Sequence, residues 1–254
     1  MALNSTPDYL TQLICTRISH DLIGNIGAVA NAVELLEEGD MDFLDDIRSI
    51  LKVSSGVLSA RMKFFRMAFG LSNSNLTDIP TVAATILAYL KTLGNKEYPI
   101  ELDLELHTSD YTREAMLITM ILADTIIKGG SIEAREINGN FAAIVHSQFP
   151  LAKEKIQGIK QVLNGEIPEQ QAVYAPVVYL QNILNKEKNI TIIPMSRNAN
   201  KSIDKQQFIS TNHMDKSNIN IDNDDERKYE TDNNIPIKCH NNIFDFSHNG
   251  ITSF

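Results

Sequence analysis

Basic residues are scarce in this chain, cysteine occurs only twice, and no apolar run approaches the length of a membrane span. The 23 Lys and Arg are outnumbered by 32 Asp and Glu, for a formal charge of −9 at pH 7. Binding nucleic-acid phosphates requires clustered cations, so nucleic acid is not an expected partner. Cys15 and Cys239 stand far apart with no metal-ligand spacing, which excludes a disulfide framework and a thiolate metal site. Free thiols in a reducing cytoplasm are the expectation. A bilayer helix needs roughly 18 consecutive apolar residues; none is present, and no membrane contact is expected. Met1 to Thr6 lack the basic start and apolar centre of a signal peptide. With 254 residues, 43% of them hydrophobic, the chain can still bury a core in one or two domains.

Ser5-Thr6-Pro7-Asp8 reads as a helix start, with hydroxyl caps, a first-turn proline and an acid near the positive end of the dipole. The 3.6-residue pattern then runs to Glu38 and stops at Gly39-Asp40. Ile14, Ile18, Leu22, Val29, Val33 and Leu36 share one apolar stripe. A second helix is predicted from Asp42 to Phe69, with Phe43, Ile47, Ile50, Leu51, Val57, Leu58, Met62 and Phe65 in its stripe. Gly70 is placed to close it as a left-handed cap, with Leu71 as the apolar contact. Two long helices joined by a short turn form an antiparallel hairpin. One hairpin cannot bury both stripes, so a homodimeric four-helix bundle is expected.

Ser72 to Ile79 is polar and reads as a linker. Beyond it, helices are predicted at Pro80–Leu93, Thr112–Lys128, Leu151–Leu163 and Val173–Leu184. Strands are predicted at Ile100–Leu106, which alternates strictly, at Ser131–Ile137, Phe141–Gln148 and Ile190–Ile193. Asn138-Gly139-Asn140 is a hairpin turn signal. Helices on one face of a mostly antiparallel sheet give an α+β sandwich. From Ser196 onward Asn, Asp, Lys and Ser dominate without periodicity. That tail is expected to be disordered, with Ile235–Ile243 as its one candidate ordered patch. The chain thus divides into a hairpin at 1–72, an α+β domain at 73–195 and a tail at 196–254.

Within the first helix, His20 falls about 180° from the apolar stripe. Thr16 lies one turn before it, and Gly24 and Gly27 one and two turns after. Each mid-helix glycine costs about 1 kcal/mol against alanine, so two of them beside a histidine point to a face kept bare for another molecule. Leu13 and Ile23 flank the histidine as candidate partner contacts, with inward packing as the competing reading. On position alone, an ordinary surface histidine with incidental glycines fits equally well.

The run Leu13-Ile14-Cys15-Thr16-Arg17-Ile18-Ser19-His20-Asp21-Leu22-Ile23-Gly24, continued by Gly27 to Leu36, resembles the phospho-accepting helix of bacterial ChpT-type histidine phosphotransferases. Ser59 to Gly70 is similar to a second signature of that family, and the order of elements extends the likeness over residues 8 to 194. The resemblance implies a hairpin that dimerises as in sensor histidine kinases, then a domain like a kinase ATP-binding domain that has lost ATP. Family members usually carry proline five residues after the histidine; Asn25 stands there, which predicts a straighter helix.

What the resemblance implies chemically is transfer through His20. A neutral imidazole has a lone pair able to attack the phosphorus of an aspartyl phosphate. Asp21 would orient the ring or accept its other proton. Residues about 20 beyond the hairpin turn, Ser59 to Lys63, should stand level with His20. Arg61 and Lys63, together with Arg17 one turn before the histidine, are candidates for offsetting phosphoryl charge. For Lys63 a solvated surface cation is the favoured alternative. No cofactor or metal of its own is expected, the Mg²⁺ being brought by a response-regulator receiver domain. A hybrid histidine kinase would donate and regulators of the CtrA type would accept. An active kinase needs an Asn-bearing helix and glycine-rich loops; Thr112–Lys128 contains no asparagine and no Asp-x-Gly-x-Gly run exists, so ATP-dependent autophosphorylation is not expected. The competing readings are a dimeric interaction module without transfer and a degenerate sensor kinase.

Overall fold

Long unbroken periodicity becomes two long helices. The computed structural model describes residues 8–39, 43–71, 75–137, 141–166, 168 and 171–184, and the backbone alone at 7, 140, 190–194 and 244–245. The expected capping residues Ser5 and Thr6, the Asn138-Gly139 turn and the Ile235–Ile243 patch lie outside the described residues.

Helix α1 spans Pro7–Glu37, 31 residues, a rod of about 45 Å. It closes where the sequence predicts: the Gly39 N–H donates to the Leu36 carbonyl at 3.3 Å, and Gly39 has φ of 77°, a region open to glycine at little cost. Helix α2, Leu44–Phe69, carries Asp45 and Asp46 in its first turn and Arg66 in its last, matching the helix dipole at both ends. Gly70 does not adopt the expected left-handed cap. Its backbone is extended (φ −75°, ψ 160°), and Leu71 is 99% exposed instead of packing back. Glycine is needed there for closeness, because a Cβ would lie 2.1 Å from the Arg66 carbonyl oxygen.

Helix α3 runs Ile79–Leu90, its Thr81 N–H donating to the capping Asp78 carboxylate at 3.2 Å. Strand β1, Ile100–Glu105, leads through a 3₁₀ turn at Ser109–Tyr111 into α4, Thr112–Ala123. Strands β2, Gly130–Ile137, and β3, Asn140–His146, follow, then α5, Lys153–Leu163. A second 3₁₀ turn, Gln171–Tyr174, precedes α6, Ala175–Ile183, and the chain continues to β4, Ile190–Pro194, and β5, Phe244–Asp245. The sheet order is β1-β2-β3-β4-β5. It is mixed, not mostly antiparallel: β1–β2 and β3–β4 pair parallel, β2–β3 and β4–β5 antiparallel. Alternation along a strand reports which face is buried and says nothing of direction.

Leu102, Leu104, Ile132, Ala134, Phe141, Ala143 and Val145 line the helical face of the sheet, and Glu101, Asp103, Glu105, Glu133 and Arg135 the other. Over the helical face lies α4, with Met116, Leu117, Ile118 and Met120 fully buried. The same apolar cluster takes in Leu13 and Leu22 of α1 and Phe64, Phe65, Met67 and Ala68 of α2. Phe64 stacks on Tyr89 of α3 with centroids 4.0 Å apart. The end of the hairpin that carries His20 is therefore packed into the α+β layer. Among the described residues its other end packs on itself, leaving Val33, Leu36, Phe43, Ile50 and Val53 exposed.

Candidate functional site

Because α1 presents one face to α2 and an adjoining one to α6 and the Gln171–Tyr174 turn, its third side meets none of the other described elements to any extent. His20 stands there with its side chain 79% exposed. Thr16 and Ile23 are exposed beside it. An added Cβ at Gly24 or Gly27 would meet nothing within 4 Å, so the expected bare face is present. The ring has one described contact, Nδ1 to Asp21 Oδ1 at 3.4 Å. That leaves Nε2 turned to solvent with its neighbourhood open.

Asp21 is held firmly from behind. Its Oδ2 accepts from Arg17 Nε at 2.8 Å, and its main-chain carbonyl accepts from Arg61 Nη1. Arg61 also donates from Nε to Thr92 Oγ1 at 3.0 Å and from Nη2 to the Thr92 carbonyl at 3.2 Å. The sequence-level estimate that residues near 61 stand level with His20 is thus met by a direct contact. In the structure the described donors of Arg61 go to the Asp21 carbonyl and to Thr92 just beyond α3.

Arg17 departs from expectation. It is 5% exposed, not a surface cation. Its Nη1 and Nη2 clasp both oxygens of Asp124 at 2.7 and 2.9 Å, and Nη1 also donates to the Val173 carbonyl at 2.9 Å. Burial alone would lower the Arg17 pKa; the Asp124 charge and hydrogen bonds outweigh it and raise it above the ordinary value. The guanidinium stays charged and fully used. Asp124 also borders a small cavity of about 10 Å³, lined otherwise by Ile121, Ile159, Val173, Tyr174, Val177 and Lys155. Tyr89, fully buried close by, has its hydroxyl pKa pushed up by burial first and then by Asp124, and it stays protonated.

Leu13, expected as a partner contact, is buried in the core. The inward reading holds because this stretch of α1 packs against the α+β layer as well as α2. Lys63 is exposed on α2. Asp124, Thr92 and Val173 were not singled out from the sequence, yet they anchor the whole arrangement. A signal was available for Asp124, the single acid within the apolar run from Met116 to Ile127. There it caps α4; the expected continuation of that helix to Lys128 does not occur.

The class this geometry defines is a helical hairpin bearing a solvent-facing histidine, braced by an α+β layer. Comparison with known proteins agrees with it. A 72-residue stretch is 44% identical to the protein phosphotransferase ChpT of Brucella abortus (strain 2308), covering 28% of this chain. The match spans 34% of that relative's length. The fold is similar to that of a bacterial phosphotransferase known at 1.7 Å, with a TM-score of 0.56 over 72% of this chain and 90% of the other. At 24% identity that likeness is one of fold. No family model matches the chain. Among the described residues no group of His, Cys, Asp and Glu is arranged to hold a metal, and no helix is long and apolar enough to cross a membrane.

Proposed function

We propose that this protein is a histidine phosphotransferase that relays phosphoryl groups between receiver domains through His20. The observation that carries the reading is an imidazole 79% exposed on a cleared helix face, with an acid fixed at one ring nitrogen and the other nitrogen open. Nε2 attacks the phosphorus of an aspartyl phosphate on the partner. The N–P bond forms as the P–O bond breaks, and the partner's carboxylate leaves with the electron pair. Positive charge left on the ring is offset by Asp21 at Nδ1. Phosphoryl transfer of this kind depends mostly on alignment and charge stabilisation, and the receiver supplies the Mg²⁺. Incubation with a phosphorylated receiver should leave acid-labile, alkali-stable phosphate on this chain; its absence would remove the assignment.

Gly24→Leu and Gly27→Leu test the cleared face. Leucine raises helix propensity by up to about 1 kcal/mol, and nothing within 4 Å opposes a Cβ at either position. Thermal stability should rise slightly while transfer falls, because the side chain occupies space the receiver needs. Wild-type transfer by both variants would contradict the docking role of this face.

The protein acts as a homodimer in this reading. Val33, Leu36, Phe43, Ile50 and Val53 are 41–62% exposed at the hairpin end that the α+β layer does not cover, and pairing two hairpins buries them. Val53→Glu should shift the protein to a monomer by light scattering while leaving the far-ultraviolet circular dichroism of the chain unchanged. A variant that stays dimeric would place the interface elsewhere.

A further inference from the structure

We propose that Asp124 is a positioning residue for His20, acting through Arg17 and Asp21, and that the α+β layer thereby sets which imidazole nitrogen is the nucleophile. Adjacent residues on a helix do not face one another, so Asp21 has no intrinsic reason to turn an oxygen toward the His20 ring. The structure supplies one. Arg17, one turn earlier on the same face, holds Asp21 Oδ2 through Nε at 2.8 Å, which leaves Oδ1 beside His20 Nδ1. Arg17 is itself fixed by the two-pronged clasp of Asp124 and by the Val173 carbonyl. A bidentate guanidinium–carboxylate pair fixes the plane as well as the place of the guanidinium.

An anionic Oδ1 at Nδ1 favours the proton on that nitrogen and leaves the Nε2 lone pair free. Without the restraint, the imidazole reverts toward the form protonated on Nε2, in which the exposed nitrogen cannot attack. Outer partners that fix the ring of a metal-binding histidine are worth about 10- to 100-fold, and the same orienting role is assigned here to a nucleophile.

The inference rests on His20 as the nucleophile, and its test separates the two claims. In the full chain labelled with ¹⁵N-histidine, the His20 ring shifts report the tautomer without any transfer. Wild type should show predominantly the Nδ1–H form; Asp124→Asn and Asp124→Ala should shift the population toward Nε2–H. With a phosphorylated receiver the same variants should lose about tenfold or more in kcat, with KM near wild type because the docking face is untouched. Ile132→Val, a core change on β2 that touches none of the clasp's hydrogen bonds, controls for general loosening and should leave the tautomer unchanged. An unaltered tautomer in both folded Asp124 variants would overturn the proposal, and so would an equal shift in Ile132→Val. If no variant, wild type included, takes up phosphate, the transferase reading fails while the tautomer shift still decides the positioning role.

Discussion

Replacing His20 by alanine or glutamine is expected to abolish phosphoryl uptake entirely and to leave the fold and its thermal transition nearly untouched. The side chain is 79% exposed and its one described contact is the 3.4 Å approach to Asp21. Exposed positions of this kind change stability by about ±0.5 kcal/mol. A nucleophile, by contrast, has no substitute, since neither methyl nor carboxamide forms an N–P bond stable to alkali. Radiolabel from a phosphorylated receiver, followed after alkali treatment, reads the outcome directly. Persistent label on His20→Ala would transfer the accepting role to another residue. Normal receiver binding by a variant that takes no label would show that docking and chemistry are separable on this face. An interaction module without transfer predicts something different, namely that the His20 variants keep the protein's biological effect.

The exposure of His20 was legible because a histidine opposite a regular apolar stripe has nowhere to go but outward. The hairpin was legible for a related reason: periodicity fixed two helices and Gly39 fixed the turn. What the wheel could not show is that α1 changes its buried face along its length. Near its start it packs against both α2 and the α+β layer, burying Leu13 and Arg17; further on it packs against α2 alone, leaving Val33 and Leu36 exposed. One averaged stripe therefore misplaced Leu13 outward and left Arg17 on the surface. The strands were placed from alternation, but their mutual direction depends on connections that alternation does not encode. The Arg17–Asp124 clasp joins residues 107 positions apart, and no local pattern reports such a pair. Its trace in the sequence is the incongruity of one carboxylate in an apolar run, a group that must find a cation when it is enclosed.

Removing that cation should carry the largest stability cost of any single change near the site. In Arg17→Met the Asp124 carboxylate loses both charged donors and Asp21 loses the donor that holds Oδ2. Breaking a buried pair from one side costs about 3–5 kcal/mol. Asp124 and Asp21 retain 19% and 15% of their side-chain exposure, so water reaches them partly and about 3 kcal/mol is the reasonable expectation. For a chain of this size, that lowers the melting temperature by roughly 6–12 °C. Arg17→Lys should recover only part of the loss, because an ammonium cannot span two carboxylate oxygens and a third acceptor in one plane. The decisive comparison is the double variant Arg17→Met/Asp124→Leu. Exchanging both partners for apolar groups of similar shape removes the orphaned charge, and such exchanges are often neutral or stabilising. The melting temperature should therefore return most of the way to wild type. Transfer should not return, since Asp21 is still unrestrained and His20 has lost its orientation. Stability recovered without rate separates the clasp's structural cost from its chemical purpose. Recovery of both together would mean that Arg17 and Asp124 do nothing beyond fastening α1 to α4.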